Sequence, residues 1–218
     1  MRISIWGGTG YTGRHIAAEA AKRGHHVSVF SRTPAAEQLP GVEYEIGSIL
    51  DFADRAHAFE ADVVVLATSP RGDMAKTMLP AVKELIAEAT SRGVRLAVVG
   101  GAGSLFVSEG GQRAVDLPTF PADYRDEALT LAAVLDELKA TDSRERWFFV
   151  SPASLFGANM PTESTGSYRV GGDVALPSLD ANGEPDGLGK ISGEDFALAF
   201  VDEIEQNQHN RQRFTVAS

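Results

Sequence analysis

Met1-Arg2-Ile3-Ser4-Ile5-Trp6-Gly7-Gly8-Thr9-Gly10-Tyr11-Thr12-Gly13 is the stretch that decides the fold. Residues 2–6 read as a short apolar strand, 7–13 as a glycine turn, and 13–23 as the helix that follows at once. Gly8, Gly10 and Gly13 satisfy the spacing G-x-G-x-x-G, and Gly7, Gly10 and Gly13 satisfy G-x-x-G-x-x-G. In such a unit one glycine permits a tight turn with positive φ. A second lets the backbone approach a pyrophosphate, and the last lets helix and strand pack closely. The helix N-terminus then presents unpaired N–H groups and a positive dipole end to the phosphates. A glycine pattern alone is weak evidence; between a strand and a helix it is strong. Gly7, Gly10, Tyr11, Thr12, Gly13 and Arg14 are therefore expected at a dinucleotide.

Outward from this turn, strand and helix patterns alternate. Strands are expected at 26–30, 43–46, 62–67, 95–99 and 147–151, with helices at 51–59, 74–92 and 124–140. Asp62-Val63-Val64-Val65-Leu66-Ala67 and Leu96-Ala97-Val98-Val99 are continuous apolar runs, as expected of parallel strands buried on both faces. The alternation implies right-handed βαβ units and a Rossmann-like, doubly wound, mainly parallel α/β sheet with helices on both faces. After Val150 the order changes: residues 157–189 are rich in Gly, Pro, Ser, Asn and Asp. They read as long loops with short strands at 167–170 and 174–176, and long loops in compact domains are often functional. A helix at 193–206 and a closing strand at 214–216 complete a single domain. Its cofactor-binding core is 1–150, and 151–218 form a small loop-rich region on the substrate side.

Bulk composition removes several function classes. The chain has 218 residues and a formal net charge of −10, which opposes a nucleic-acid footprint. Cys is absent, so disulfides, thiolate nucleophiles and Cys-ligated metals are excluded. No apolar run reaches membrane-spanning length and no leader pattern is evident, so a cytoplasmic protein, monomeric or homodimeric, is expected. His15, His25, His26, His57 and His209 show no ligand spacing, so no metal site is expected.

The second strand ends Phe30-Ser31-Arg32, where an NAD site usually carries an acid for the ribose 2′-OH. Arg32, with Arg14 on the first helix, suits a 2′-phosphate instead, so NADP(H) is favoured. Ligands of open parallel sheets sit beyond the carboxyl ends of the strands. Those ends are small here: Ala67-Thr68-Ser69-Pro70, Gly100-Gly101-Ala102-Gly103-Ser104 and Ser151-Pro152-Ala153-Ser154. Ala67, Thr68, Gly101, Ser151, Pro152 and Ala153 are expected along the cofactor.

Several blocks resemble one known group: Gly7–Gly13, Val98–Leu105, Phe120–Tyr124, Phe149–Ala153, Gly166–Asp173, Ile191–Ala197 and Arg211–Val216. Together they resemble the NADH-flavin reductases, atypical short-chain dehydrogenase/reductases related to biliverdin-IXβ/flavin reductase and, more distantly, to NmrA-like sensors. The resemblance spans essentially the whole chain. It implies an NAD(P)-binding domain and a flavin (FMN, FAD or riboflavin) or similar small planar acceptor. Two departures stand out. Standard members pair a tyrosine with a lysine four places on, whereas Tyr124 is followed there by Ala128. Ser48 stands where related chains often carry an Asp for the adenine amine. Ser104 and Tyr124 are the candidate catalytic groups. Phe106, Phe120, Phe156, Met160 and Tyr168 are candidate walls of an apolar pocket, and Arg169 is a candidate ligand for an anionic tail. Flavin reduction tolerates the missing lysine because the protein mainly stacks and orients two rings. A sensor without turnover is the rival reading, and an epimerase- or dehydratase-like enzyme a weaker one.

Overall fold

The structure, a computed structural model, describes residues 1–218. The first strand, β1 (Arg2–Trp6), runs through the glycine turn into α1 (Tyr11–Lys22). β2 (His26–Ser31) and β3 (Val42–Ile46) follow, then α2 (Phe52–Ala58), β4 (Val63–Leu66), α3 (Met74–Arg92), β5 (Arg95–Val99), α4 (Ala122–Lys139) and β6 (Trp147–Pro152). Beyond them lie β7 (Arg169–Gly171), β8 (Pro177–Leu179), β9 (Pro185–Leu188), α5 (Gly193–Gln206) and β10 (Gln212–Ala217).

The main sheet has the order β3-β2-β1-β4-β5-β6-β10-β7. Every neighbouring pair is parallel except β7, which lies antiparallel on β10. The chain leaves β1 toward β2 and β3, then returns to pair β4 with the other side of β1 in the register Ile3↔Val63. This reversal lies between β1 and β4, and it is beyond the carboxyl ends of strands at such a point that open parallel sheets bind ligands.

Side-chain alternation along the strands separates two cores. Ile3, Ile5, Val65, Phe148, Val150 and Phe214 pack under α1 and α5, against Ile16, Ala20, Phe196 and Phe200. Trp6, Val64, Leu66, Leu96, Val98 and Phe149 pack on the opposite face, against Met78, Val82, Leu85 and Leu135. All four residues of β4 are buried, because both of its faces are covered.

The C-terminal third differs from expectation. The strand expected at 174–176 is absent; Val174 makes only a single bridge to Phe106. A separate hairpin, β8–β9, forms instead around Asp180, whose Oδ1 accepts the N–H groups of Asn182 and Glu184 at 2.8 and 2.9 Å. Its strands carry no alternating apolar signal because β9 is exposed throughout. The closing strand β10 is inserted between β6 and β7. α5 carries the parallel return from β6 and starts with Ser192 Oγ accepting the Asp195 N–H at 2.9 Å. No helix is long and apolar enough to cross a membrane.

Candidate functional site

Gly7 adopts φ +80°, and a Cβ there would lie 2.7 Å from the carbonyl oxygen of Ala67 at the end of β4. At Gly13 a Cβ would stand 2.4 Å from Gly7 O and 2.7 Å from Gly8 Cα, so helix and turn touch backbone to backbone. Gly8 is held by packing as well, since a Cβ would meet Val29 at 2.6 Å. Gly10 differs: it is the exposed N-cap of α1, with φ −77° and only Gly7 O near, at 3.3 Å. No side chain caps this helix end and no acid stands in its first turn. By contrast, Asp51 caps α2 and Ser192 caps α5. The backbone N–H groups at Tyr11, Thr12 and Gly13 thus form the fixed positive end that a pyrophosphate requires. The cradle fits a dinucleotide, because its glycines leave bare backbone where side chains would stand.

Tyr11 turns toward α5. Its ring meets His15 and Phe156 edge-on, with centroids at 4.9 and 5.7 Å. Its hydroxyl lies beside Gly193, where a Cβ would come within 2.9 Å. Burial pushes the Tyr11 phenol pKa up, and the Glu194 carboxylate adds to the rise against the Gly193 N–H bond.

The two arginines singled out for a 2′-phosphate have different freedom. Arg14 is engaged, with Nη2 donating to Glu37 Oε2 at 2.9 Å. Arg32 meets only the Asp73 carboxylate, at 3.6 Å, with both side chains mostly in solvent. An exposed pair of this kind is worth little, so an incoming anion can take Arg32 at small cost. No acidic residue lies between Phe30 and Glu37.

The small strand ends lie on the same edge. Gly100 is required there because a Cβ would stand 2.0 Å from the Phe149 ring. Ser151, Pro152 and Ala153 are buried at the end of β6, and Ser151 Oγ has no hydrogen-bond partner. Ala67 and Thr68 are half-buried beside Gly7, and Gly101 packs near Leu131.

On the acceptor side, Ser104 sits in a short 3-10 turn after β5. Its Oγ lies 3.4 Å from both Gly101 O and Arg213 Nη1, and it does not bond Tyr124. Tyr124, in the first turn of α4, lies under the Arg71 guanidinium, 5.7 Å from ring centroid to Cζ. Arg71 Nε donates to Glu127 Oε2 at 2.5 Å, and Ser69 Oγ donates to Glu127 Oε1 at 2.8 Å. Glu127 therefore ties the β4–α3 loop to α4. Ala128 is buried, and a Cβ on Gly103 would come within 2.6 Å of its own Cβ, so the lysine position of standard members is filled by packing.

The aromatic candidates fall into two groups. Phe156 packs on Tyr11 and on Phe196, at 4.8 Å, on the α1/α5 side. Phe120 lies near Gly103 and Arg125, and the Phe106 backbone bonds Asp173 and Ala175, both on the α4 side. Arg169 is tied to the chain itself: Nη2 donates to the carbonyls of Pro177 at 2.6 Å and Ser218 at 2.9 Å. Tyr168 donates its hydroxyl to Asp202 at 2.5 Å, which faces it toward α5.

Sequence reasoning did not single out Arg71, Glu127, Asp195 or Arg213. Asp195 is 1% exposed and accepts from Ser164 Oγ, Thr165 N and Oγ1, Gly166 N and Ser218 Oγ. Burial raises its pKa, but the bonds from Thr165, Ser164 and Gly166 outweigh that and hold the carboxyl below the usual range. A cleft of about 730 Å³ at the opposite, amino-terminal edge is lined by Arg2, Asp62, Arg92 and Arg146 and holds none of the expected site residues.

The chain is similar to known proteins along its whole length. An uncharacterized protein of Bacillus subtilis, YwnB, is 34% identical over 225 residues, covering 100% of this chain and 99% of its own. A solved structure from Burkholderia pseudomallei, described as a "putative exported protein", is 38% identical with TM-score 0.82 and full coverage of both chains. SP1627 from Streptococcus pneumoniae TIGR4, described as a "putative NADH-flavin reductase", is 29% identical with TM-score 0.80, covering 100% of this chain and 99% of that one. The NAD(P)H-binding family matches residues 7–207, from the glycine turn to the end of α5, and the chain belongs to that family.

Proposed function

We propose that this protein is an NAD(P)H-dependent reductase that uses NADPH to reduce a flavin or a similar planar acceptor. The observation that turns the reading toward a flavin-type acceptor, rather than an alcohol or ketone, is Ala128, packed against Gly103 where a lysine would otherwise serve Tyr124. Without that lysine the tyrosine has no built-in help in exchanging a proton with an alcohol or ketone. A flavin-type acceptor has no such need: hydride passes from nicotinamide C4 to the acceptor ring, and the accompanying proton comes from solvent. NADPH, H⁺ and oxidised flavin give NADP⁺ and reduced flavin, so atoms and electrons balance.

Each part of the chain has a role in this reading. The N–H groups at Tyr11–Gly13 hold the pyrophosphate, and Gly7 keeps the backbone close to it. Arg32 takes the 2′-phosphate in place of Asp73. Ala67, Thr68 and the small ends of β5 and β6 let the coenzyme lie along the sheet edge. Phe106 and Phe120, on the α4 side with Ser104 and Tyr124, flank the acceptor, while Tyr124 shapes the pocket without acting as a required acid. The name of the streptococcal relative supports the same acceptor class.

The test is NADPH oxidation followed at 340 nm with FMN or riboflavin as acceptor. Saturable, protein-dependent oxidation is expected. No oxidation, together with tight NADPH binding by titration, would overturn the reductase reading in favour of a sensor.

A further inference from the structure

Three stretches that carry the resemblance stand far apart in the chain, and one side chain joins them. Arg213 on β10 pairs with Phe149 on β6, and both face the α4 side of the sheet. Its side chain is 1% exposed. Nε donates to Asp173 Oδ1 at 2.5 Å and Nη2 to the Asp173 carbonyl at 3.3 Å. Nη1 donates to Ser104 Oγ at 3.4 Å, across 109 residues of sequence. The Asp173 carbonyl also accepts the Phe106 N–H at 2.9 Å. The guanidinium thus locks the Ser104–Phe106 turn to the loop that leaves β7.

Hydrogen-bond chemistry gives this arrangement a direction. A guanidinium carries donors and no acceptor. Toward Arg213, Ser104 Oγ can act only as an acceptor, so its own proton points elsewhere. Its present recipient is Gly101 O at 3.4 Å, as long as the contact from Arg213 but without its charge, so a better acceptor displaces it readily. On the same face of β6, the Ser151 hydroxyl is fully buried with no partner, a polar atom left for a ligand to satisfy. α4 supplies no cation at position 128, so the one beside Ser104 comes from β10.

We propose that Arg213 is a positioning residue of the acceptor site: it holds Ser104 with its hydroxyl proton turned out, as a hydrogen-bond donor to the acceptor. The favoured acceptors then carry a carbonyl oxygen or ring nitrogen that gains negative charge as hydride arrives, as flavins and quinones do. Ser104 donates a hydrogen bond and keeps its proton; the proton consumed comes from solvent. The inference rests on the reductase reading above.

The experiment compares wild type, Arg213→Met, Arg213→Lys, Ser104→Ala and the Met/Ala double variant, with FMN and menadione as acceptors. Arg213→Met is expected to lower kcat by about tenfold or more, less than the roughly hundred- to thousandfold cost of removing a donor outright, because Ser104 itself remains. KM for NADPH should stay within about twofold, because only the acceptor half is touched. Arg213→Lys should recover part of kcat, and the double variant should be no slower than the worse single one. Should the Met variant fail to fold, the cycle is run with Lys. A kcat for Arg213→Met within about twofold of wild type, or losses that multiply in the double variant, would overturn the proposal alone. A wild type that oxidises NADPH with neither acceptor would overturn the reductase reading, and this inference with it.

Discussion

Replacing Gly13 by Ala perturbs the coenzyme cradle at its tightest point. The new Cβ would stand 2.4 Å from Gly7 O, 2.7 Å from Gly8 Cα and 2.9 Å from Gly7 C. All three are backbone atoms, so no side chain can swing away; turn and helix must part by roughly 1 Å to restore ordinary contact. Overpacking of this kind costs about 1–3 kcal/mol. Ala in place of Gly inside a helix returns about 1 kcal/mol, so the net loss is about 0–2 kcal/mol. A domain holding about 5–15 kcal/mol survives that, and the variant should fold. Coenzyme binding suffers more. The N–H groups at the start of α1 would move off a bound pyrophosphate, and a hydrogen bond to a charged group is worth about 1.5–3 kcal/mol. At 1.4 kcal/mol per tenfold, NADPH affinity should fall about ten- to a hundredfold. Gly10→Ala separates packing from binding: its Cβ would meet only Gly7 O, at 3.3 Å, and φ is −77°, so the protein should fold normally, while the new methyl on the side a pyrophosphate approaches should still weaken NADPH binding. Titration of nicotinamide fluorescence, with circular dichroism to verify folding, measures both. A folded Gly13→Ala that binds NADPH within about twofold of wild type would refute the assigned geometry.

Arg32→Glu should weaken NADPH binding by about ten- to a hundredfold and leave NADH nearly unchanged, because only the 2′-phosphate is repelled. Equal losses for the two coenzymes would remove Arg32 from the site. Tyr124→Phe should lower flavin reduction by less than about threefold, and near-complete loss of turnover in a folded variant would make Tyr124 a required acid after all. Asp195 has a folded pKa below its unfolded value of about 3.9, so its contribution is fully present above that value. The contribution is lost as pH falls through the lower folded pKa. Asp195→Asn should therefore lower Tm at pH 7 and flatten the acid limb of Tm against pH; an unchanged limb would show that the loop at 164–166 is held by something else.

The architecture was readable because each clue was local. Val63–Leu66 announces a strand covered on both faces, since a short apolar run between turn signals has no other use in a sheet. The glycine turn announces its own place, because close backbone approach forbids side chains at Gly7 and Gly13 whatever the rest of the chain does. The β8–β9 hairpin was hidden for the complementary reason: β9 is exposed throughout and β8 only half-buried, so no periodicity marks it. Composition, the two-fold and 3.6-fold rhythms and the turn chemistry thus specify a doubly wound coenzyme domain. Side-chain partnerships lie beyond them. That Arg14 answers to Glu37 while Arg32 stays open, that Glu127 clamps Arg71 over Tyr124, and that Arg213 reaches Ser104 all depend on which strand lies next to which. β10 enters between β6 and β7, and only that placement sets Arg213 beside a turn 109 residues earlier. Burial patterns repeat within a few residues and leave a trace in sequence; contacts across the sheet are set by topology, and for them the chain carries no local mark.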